Sequence, residues 1–196
     1  MKYLIGIDEV GRGPIAGPVA VSAFVFLDPK VKRIFRGVKE SKQLDEKSRE
    51  KWFAIINDAK RKGLVDFCVT FQSEKVIDNK GLSFAIKNAL STSLFALNKA
   101  PESAKVLLDG GLKAPPEFKD QKTIIKGDEK EMVIALASIT AKVLRDRKMI
   151  KLGKKYPAYG FEIHKGYGTK KHYEAIAKHG LLKEHRRSFL KKIVLN

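Results

Sequence analysis

Tyr3-Leu4-Ile5-Gly6-Ile7-Asp8-Glu9-Val10-Gly11-Arg12-Gly13-Pro14-Ile15-Ala16-Gly17-Pro18-Val19 is the stretch on which the reading of this chain turns. Its opening, Lys2–Glu9, is a short apolar run that ends in two acids and passes directly into Gly-Arg-Gly-Pro. A buried strand followed by a turn fits that order. Two adjacent carboxylates at the end of an apolar strand lose hydration and need compensation. Consecutive strand residues point to opposite faces, so both acids serve one site only if the backbone leaves regular strand geometry near Glu9. The glycines that follow supply that freedom.

Working outward, Pro18–Leu27 is rich in Val, Ala and Phe and reads as a second strand. Asp45 is placed to cap a helix whose apolar face is Trp52, Ile55, Ile56 and Ala59, stopped by Gly63. Leu64–Phe71 reads as a third strand, and a helix over 81–99 lines up Ile86, Leu90, Leu94 and Leu97. Lys105–Asp109 and Lys122–Lys126 read as strands four and five. Glu129–Met149, with Met132, Leu136, Ile139 and Val143 among small residues, reads as a helix packed against a sheet. The remainder, Tyr156–Asn196, is polar, basic and punctuated by glycines, and predicts short helices laid over the core. Strands dominate early and then alternate with helices, which favours an α/β mixed sheet with helices on both faces. The first three strands form an antiparallel meander in this reading, and the last two run parallel to the first.

Two further acids stand where elements end. Asp109 closes the fourth strand before Gly110, and Asp128 lies in Lys-Gly-Asp ahead of the long helix. If those ends adjoin Asp8 and Glu9, four carboxylates converge and repel unless cations lie between them. Oxygen-only ligands suit Mg²⁺ or Mn²⁺, and two such ions about 3.5–4 Å apart form the clamp of in-line phosphodiester cleavage. Duller roles stay open at this point: Asp128 as a helix N-cap, Asp109 as an ordinary turn residue. Asp146 lies 18 residues beyond Asp128, about 27 Å along a helix, too far to share the site. It is expected to pair with a neighbouring base.

The formal charge is +18, a surplus that suits a polyanionic partner, most often nucleic acid. It is uneven: residues 142–196 hold 16 basic against 4 acidic side chains, and the first 141 hold 24 against 18. The acids thus lie mostly in front and the positive field mostly behind. Cys68 is the only cysteine, which excludes an intramolecular disulfide and a multi-cysteine zinc site, and its apolar run places it in the core. An early carboxylate pair and the lack of a long apolar run predict a cytoplasmic chain with no membrane span.

Residues Gly6 to Val19 resemble the opening signature of the ribonuclease HII family almost position for position. The resemblance continues through Ser41-Lys42-Gln43-Leu44, Leu107-Leu108-Asp109-Gly110, Lys126-Gly127-Asp128 and Ala137-Ser138-Ile139-Thr140-Ala141-Lys142-Val143. It ends at His164-Lys165-Gly166-Tyr167-Gly168-Thr169 and His185-Arg186-Arg187-Ser188-Phe189. It implies a ribonuclease H-like fold, five strands in the order 3-2-1-4-5 with flanking helices, and one domain over 1–196 with a basic helical extension from about 156. It implies metal-binding catalytic carboxylates at Asp8, Glu9, Asp109 and Asp128, two divalent cations, and substrate contacts by Gly11, Arg12, Gly13 and Tyr167. Lys42 is a candidate phosphate contact, against a solvated loop lysine. The implied substrates are RNA–DNA hybrids and duplex DNA with embedded ribonucleotides, cut 5′ of the ribonucleotide by a monomer to leave a 3′-hydroxyl and a 5′-phosphate. Glycine amides can approach a 2′-hydroxyl closely, the group that separates RNA from DNA there.

Glu40 departs slightly from the family's usual Asp. Asp128, where the related ribonuclease HIII pattern has Glu, and the lack of that subfamily's N-terminal domain favour HII. The four histidines, His164, His172, His179 and His185, lie in the basic part. They are candidates for phosphate binding or product release rather than for a base. Two rival readings remain at this level: a non-catalytic basic RNA-binding protein, which leaves the four acids unexplained, and a DNA integrase or resolvase on the same fold, which leaves the Gly-Arg-Gly loop unexplained.

Overall fold

The computed structural model of the protein describes residues 2–38 and 41–190. Glu40 lies outside them, as does the stretch 191–196 of the C-terminal segment. The chain runs β1 (Tyr3–Val10), β2 (Val19–Phe26), α1 (Glu46–Arg61), β3 (Val65–Gln72), α2 (Glu74–Lys80), α3 (Leu82–Phe95), β4 (Ala104–Asp109) and β5 (Gln121–Ile124). It continues through α4 (Gly127–Lys130), α5 (Met132–Lys155), α6 (Phe161–His164) and α7 (Lys170–His179), with short 3-10 turns between. The sheet order is β3-β2-β1-β4-β5. The pairs β1/β2 and β2/β3 are antiparallel, and β1/β4 and β4/β5 are parallel, as the sequence predicts.

Sequence pattern and layers agree. Every residue of β2 is buried, as a continuous apolar run covered on both faces requires. In β1, Ile5 and Ile7 join the core beneath α3, while Gly6 faces α5. A β-carbon on Gly6 would collide with the Val133 carbonyl, so glycine lets the helix backbone rest directly on the central strand. The first half of α5 is buried nearly all round, from Val133 to Ala141. It is pinned to the sheet by Thr140, whose hydroxyl lies 2.7 Å from that of Ser22.

Four expectations change. Helix α1 is capped by Asp45 as expected, but its buried face is Phe53, Ile56 and Ala59, and Ile55 is exposed. Helix α2 fills the stretch between β3 and α3, to which the sequence assigned no element: Ser73 accepts from the Val76 amide to start it, and Gly81 both ends it and begins α3. The long helix breaks into α4 and α5 at Glu131, whose backbone is extended. Finally, the segment from Tyr156 is not merely laid over the sheet. Tyr159, Phe161, Ala175, Ile176 and Leu190 form a core of their own with Ile15, Ala16 and Met149, and Ala16 pairs with His185 as an isolated bridge. Cys68 packs against the core beneath α3, as expected. Among the described residues no helix is long and apolar enough to cross a membrane.

Candidate active site

Parallel pairing sets Ile7 beside Leu108, so the next residues, Asp8 and Asp109, lie side by side at the same end of the sheet. Contrary to expectation, β1 keeps its register with β2 through Glu9 and Val10. Asp8 and Glu9 therefore leave the strand on opposite faces and meet the cleft around its end. The chain turns only at Gly11, at a φ of +92°, a conformation costly for any side-chain-bearing residue. A cleft of about 240 Å³ is lined by Asp8, Glu9, Gly11, Arg12, Gly13, Ser41, Lys42, Asp109, Ser138, Lys142 and Tyr167 among others.

Each acid has an internal donor. Asp8, 6% exposed, accepts the Glu9 amide at 2.8 Å and a bond from Ser138 on α5. Glu9 Oε1 accepts from Arg12 at 3.0 Å, while its Oε2 is buried with no hydrogen-bond partner. Asp109 Oδ1 accepts the Gly127 amide at 2.7 Å, which draws α4 up to the end of β4. Asp128 is buried, and its Oδ2 lies 3.4 Å from Lys42 Nζ. It caps neither α4 nor α5 through its side chain, so the helix-cap role is set aside. Asp109 holds a turn, but its carboxylate faces the cleft as well. Asp128 is not among the residues that line the cleft, but it neighbours Lys42, which is. Among the described residues no three acids or histidines form a preformed metal cage, so the tight four-fold convergence expected from sequence is looser in the structure.

The electrostatics nonetheless favour a cation. Burial, then the charges of Glu9 and Asp109, hold the Asp8 carboxyl well above its ordinary pKa, against the opposing bond from Ser138. Burial also raises Glu9, partly offset by Arg12. A crowded, oxygen-only donor set with one orphaned carboxylate oxygen fits a hard divalent cation such as Mg²⁺ or Mn²⁺. On the basic side, Lys142 lines the cleft and bonds Asp146 at 2.9 Å, so Asp146 pairs with a neighbouring base as expected. Tyr167 is 44% exposed, and its ring lies beside Gly13 in the cleft lining.

Three participants escaped the sequence reading as site residues. Ser138, Ser41 and Lys142 line the cleft, and the Ser41 hydroxyl lies 2.7 Å from that of Ser138. All three fall in the blocks quoted for the family resemblance, which was the available signal. Two of the four histidines are held in the interior rather than offered to phosphate or product. His172 and His185 are buried, with their Nε2 atoms 3.1 Å apart, and the His164 ring stacks on His172 at 4.3 Å. Carbonyl and amide partners fix the tautomers: His172 Nδ1–H donates to the Tyr167 carbonyl, and His185 Nδ1 accepts the Leu182 amide. The His185 Nε2–H therefore donates to His172. Burial holds the His172 pKa down to about 4. His172 and His185 form a neutral pair joined to the Tyr167 carbonyl, with the His164 ring stacked on it.

A mixed sheet in this order, with carboxylates at the ends of its first and fourth strands, is the architecture of ribonuclease H-like nucleases, and solved structures share it. The ribonuclease H2 of Pyrococcus horikoshii superposes with a TM-score of 0.72 at 27% identity, over 97% of this chain and 96% of that one. A chain from the PCNA:RNase HII complex of Archaeoglobus fulgidus gives 0.73 at 25% identity, over 94% and 93%. The family model described as ribonuclease HII matches residues 5–192. A ribonuclease HII of Bacillus cereus is 46% identical over 189 residues, 96% of this chain and 69% of the relative. The chain belongs to the ribonuclease HII family, and its activity is that of a ribonuclease H endonuclease. The reading as a non-catalytic RNA-binding protein falls with that result.

Proposed function

We propose that the chain is a metal-dependent endonuclease that hydrolyses the RNA strand of RNA–DNA hybrids. It also cuts 5′ of ribonucleotides embedded in duplex DNA, leaving a 3′-hydroxyl and a 5′-phosphate. It acts as a monomeric cytoplasmic enzyme, a single unit over 1–196 in which the C-terminal segment is integral. The observation that carries the reading is one cleft with two unlike walls: carboxylates from β1 and β4 on one side, the Gly11–Gly13 loop and Tyr167 on the other.

Asp8, Glu9, Asp109 and Asp128 would hold two divalent cations, which supply charge at the attacking water and at the leaving 3′-oxygen when bound. The chain's own groups do the rest. The Gly127 amide keeps Asp109 turned into the site, and Ser138 orients Asp8. Lys42, beside Asp128 at the cleft rim, is placed to meet a phosphate oxygen. The Gly11–Gly13 backbone approaches the 2′-hydroxyl, while the Tyr167 ring presses on the neighbouring sugar. The test is cleavage of a DNA duplex with one embedded ribonucleotide and of a continuous hybrid, each with Mg²⁺, with Mn²⁺ and in EDTA. Cutting 5′ of the ribonucleotide that EDTA abolishes is expected. Cutting of all-DNA duplex, or undiminished cutting in EDTA, would overturn it.

A further inference from the structure

Arg186 is fully buried, and among the described residues it has no carboxylate within ion-pairing distance. Its donors go instead to three carbonyls of the loop after β1: Nη2 to Gly11 at 2.7 Å, Nη1 to Arg12 at 3.0 Å and Nε to Gly17 at 2.9 Å. Its own amide donates to the Ile15 carbonyl, and the Phe189 ring covers the guanidinium face. Burial, with Arg145 nearby, draws its pKa down to about 10, so it stays charged at neutral pH. A buried cation without an anionic partner is costly to desolvate.

The geometry gives that cation a task. In a trans peptide the carbonyl and the following N–H point in opposite directions, and no cis bond is present. Drawing the Gly11 and Arg12 carbonyls back onto Arg186 therefore turns the Arg12 and Gly13 amides the other way. The far side of this loop lines the cleft, and Arg186 does not. Neither amide has an acceptor among the described residues. Two adjacent N–H groups thus stand ready for one oxygen atom, held from behind by a planar fork that fits two carbonyls at once. Arg145 closes the same loop from α5, donating to the Pro18 and Lys165 carbonyls, and so links it to the turn that carries Tyr167.

We propose that Arg186 is a positioning residue for ribonucleotide recognition, aiming the Arg12 and Gly13 amides at the 2′-oxygen of the nucleotide beside the scissile phosphate. The inference rests on the functional reading above. The matched control is Asp78, which holds the same C-terminal segment by accepting from the Arg187 and Ser188 amides and touches neither loop carbonyl. Arg186→Lys keeps the charge but loses the fork; its single-turnover cleavage at one embedded ribonucleotide should fall about tenfold or more. Its affinity for all-DNA duplex should stay within about twofold, since phosphate contacts supply that term. Asp78→Ala should leave the cleavage rate nearly unchanged. An unchanged rate in Arg186→Lys, or an equal loss in Asp78→Ala, would overturn the proposal. Should Arg186→Lys fail to fold, amide exchange in the wild-type protein in EDTA decides. The Arg12 and Gly13 amides should be protected by ribonucleotide-containing duplex and not by all-DNA duplex; equal protection would overturn it. Failure of the wild type to cut at a ribonucleotide would instead sink the functional reading.

Discussion

At the open end of β1 and β4, carboxylates stand close at a cleft, and burial together with neighbouring negative charge holds Asp8 and Glu9 above their ordinary pKa values. In the segment from Tyr156 to Leu190, by contrast, Lys and Arg outnumber the acids, yet its deepest cation is spent on backbone carbonyls and two of its histidines are held neutral. The first region keeps like charges close at a cost to itself, which is the mark of a site that expects a cation. The second hides charge to build a rigid wall and leaves only its outer lysines for a partner. The sign of a sequence's charge thus says less than its burial: acids that repel mark chemistry, while an arginine wrapped in carbonyls marks architecture.

The largest effect should come from breaking the acidic side. Asp8→Asn should lower turnover by about a thousandfold or more, the scale of several kcal/mol of lost charge stabilisation. It should also raise the melting temperature in EDTA by about 2–4 °C, since relieving repulsion returns on the order of 1 kcal/mol. A drop in melting temperature would mean that Asp8 is structural. Next is the opposite wall. A β-carbon on Gly13 meets only Tyr167, at 3.6 Å, so Gly13→Val should fold normally yet abolish cleavage. Tyr167→Ala should lower single-ribonucleotide cleavage about a hundredfold, on the scale of losing an aromatic contact plus its alignment. Affinity measured in parallel should barely move, and equal losses in both would make these residues mere grips.

The neutral histidine pair should appear as a pH slope. His172 titrates near 6.5 when unfolded and near 4 when folded, so the unfolded chain binds more protons between those values. Its contribution is therefore complete above about pH 6.5 and is lost as pH falls toward 4, on the order of 2–3 kcal/mol. Denaturation midpoints of wild type and His172→Gln across that window should diverge at neutral pH and converge in acid; parallel curves would remove the pair from the account. The smallest effect belongs to the outer surface, where the side chain of Lys170 is 92% exposed. Reversing Lys170 and Lys171 to Glu should flatten the dependence of log affinity on log salt by about 0.9 per lost phosphate contact, with the cut position unchanged. An unaltered slope would put the duplex on another face.

Most of the sheet was legible because its strands are short apolar runs with clear ends, and the register of β1 beside β4 followed from parallel pairing. The acids were legible as a set because each stands where an element stops. What escaped depends on distance through space. Helix α2 buries only Ile77, too weak a pattern to separate from a loop. Phe53 outcompetes Ile55 for the core because the sheet face, not periodicity alone, sets the rotation of α1. Arg145 and Arg186 look like solvent residues in a string of letters, and only a structure shows carbonyls gathered round them. The link from Asp128 to Lys42 was not legible either, since the two lie 86 positions apart in the chain.

The hydrogen bond from Arg186 to Gly11 spans 175 positions of sequence, nearly the length of the chain. The loop after β1 is thus fastened by a residue 175 positions later. During synthesis the carboxylates of β1 and β4 are made long before the fork that holds the loop beside them, so a nascent chain carries its acids without its finished recognition wall. Contacts of such separation form late, because the loop they close is costly in entropy. A chain broken off before Arg186 has all four acids but lacks the fork that holds the Gly11 and Arg12 carbonyls.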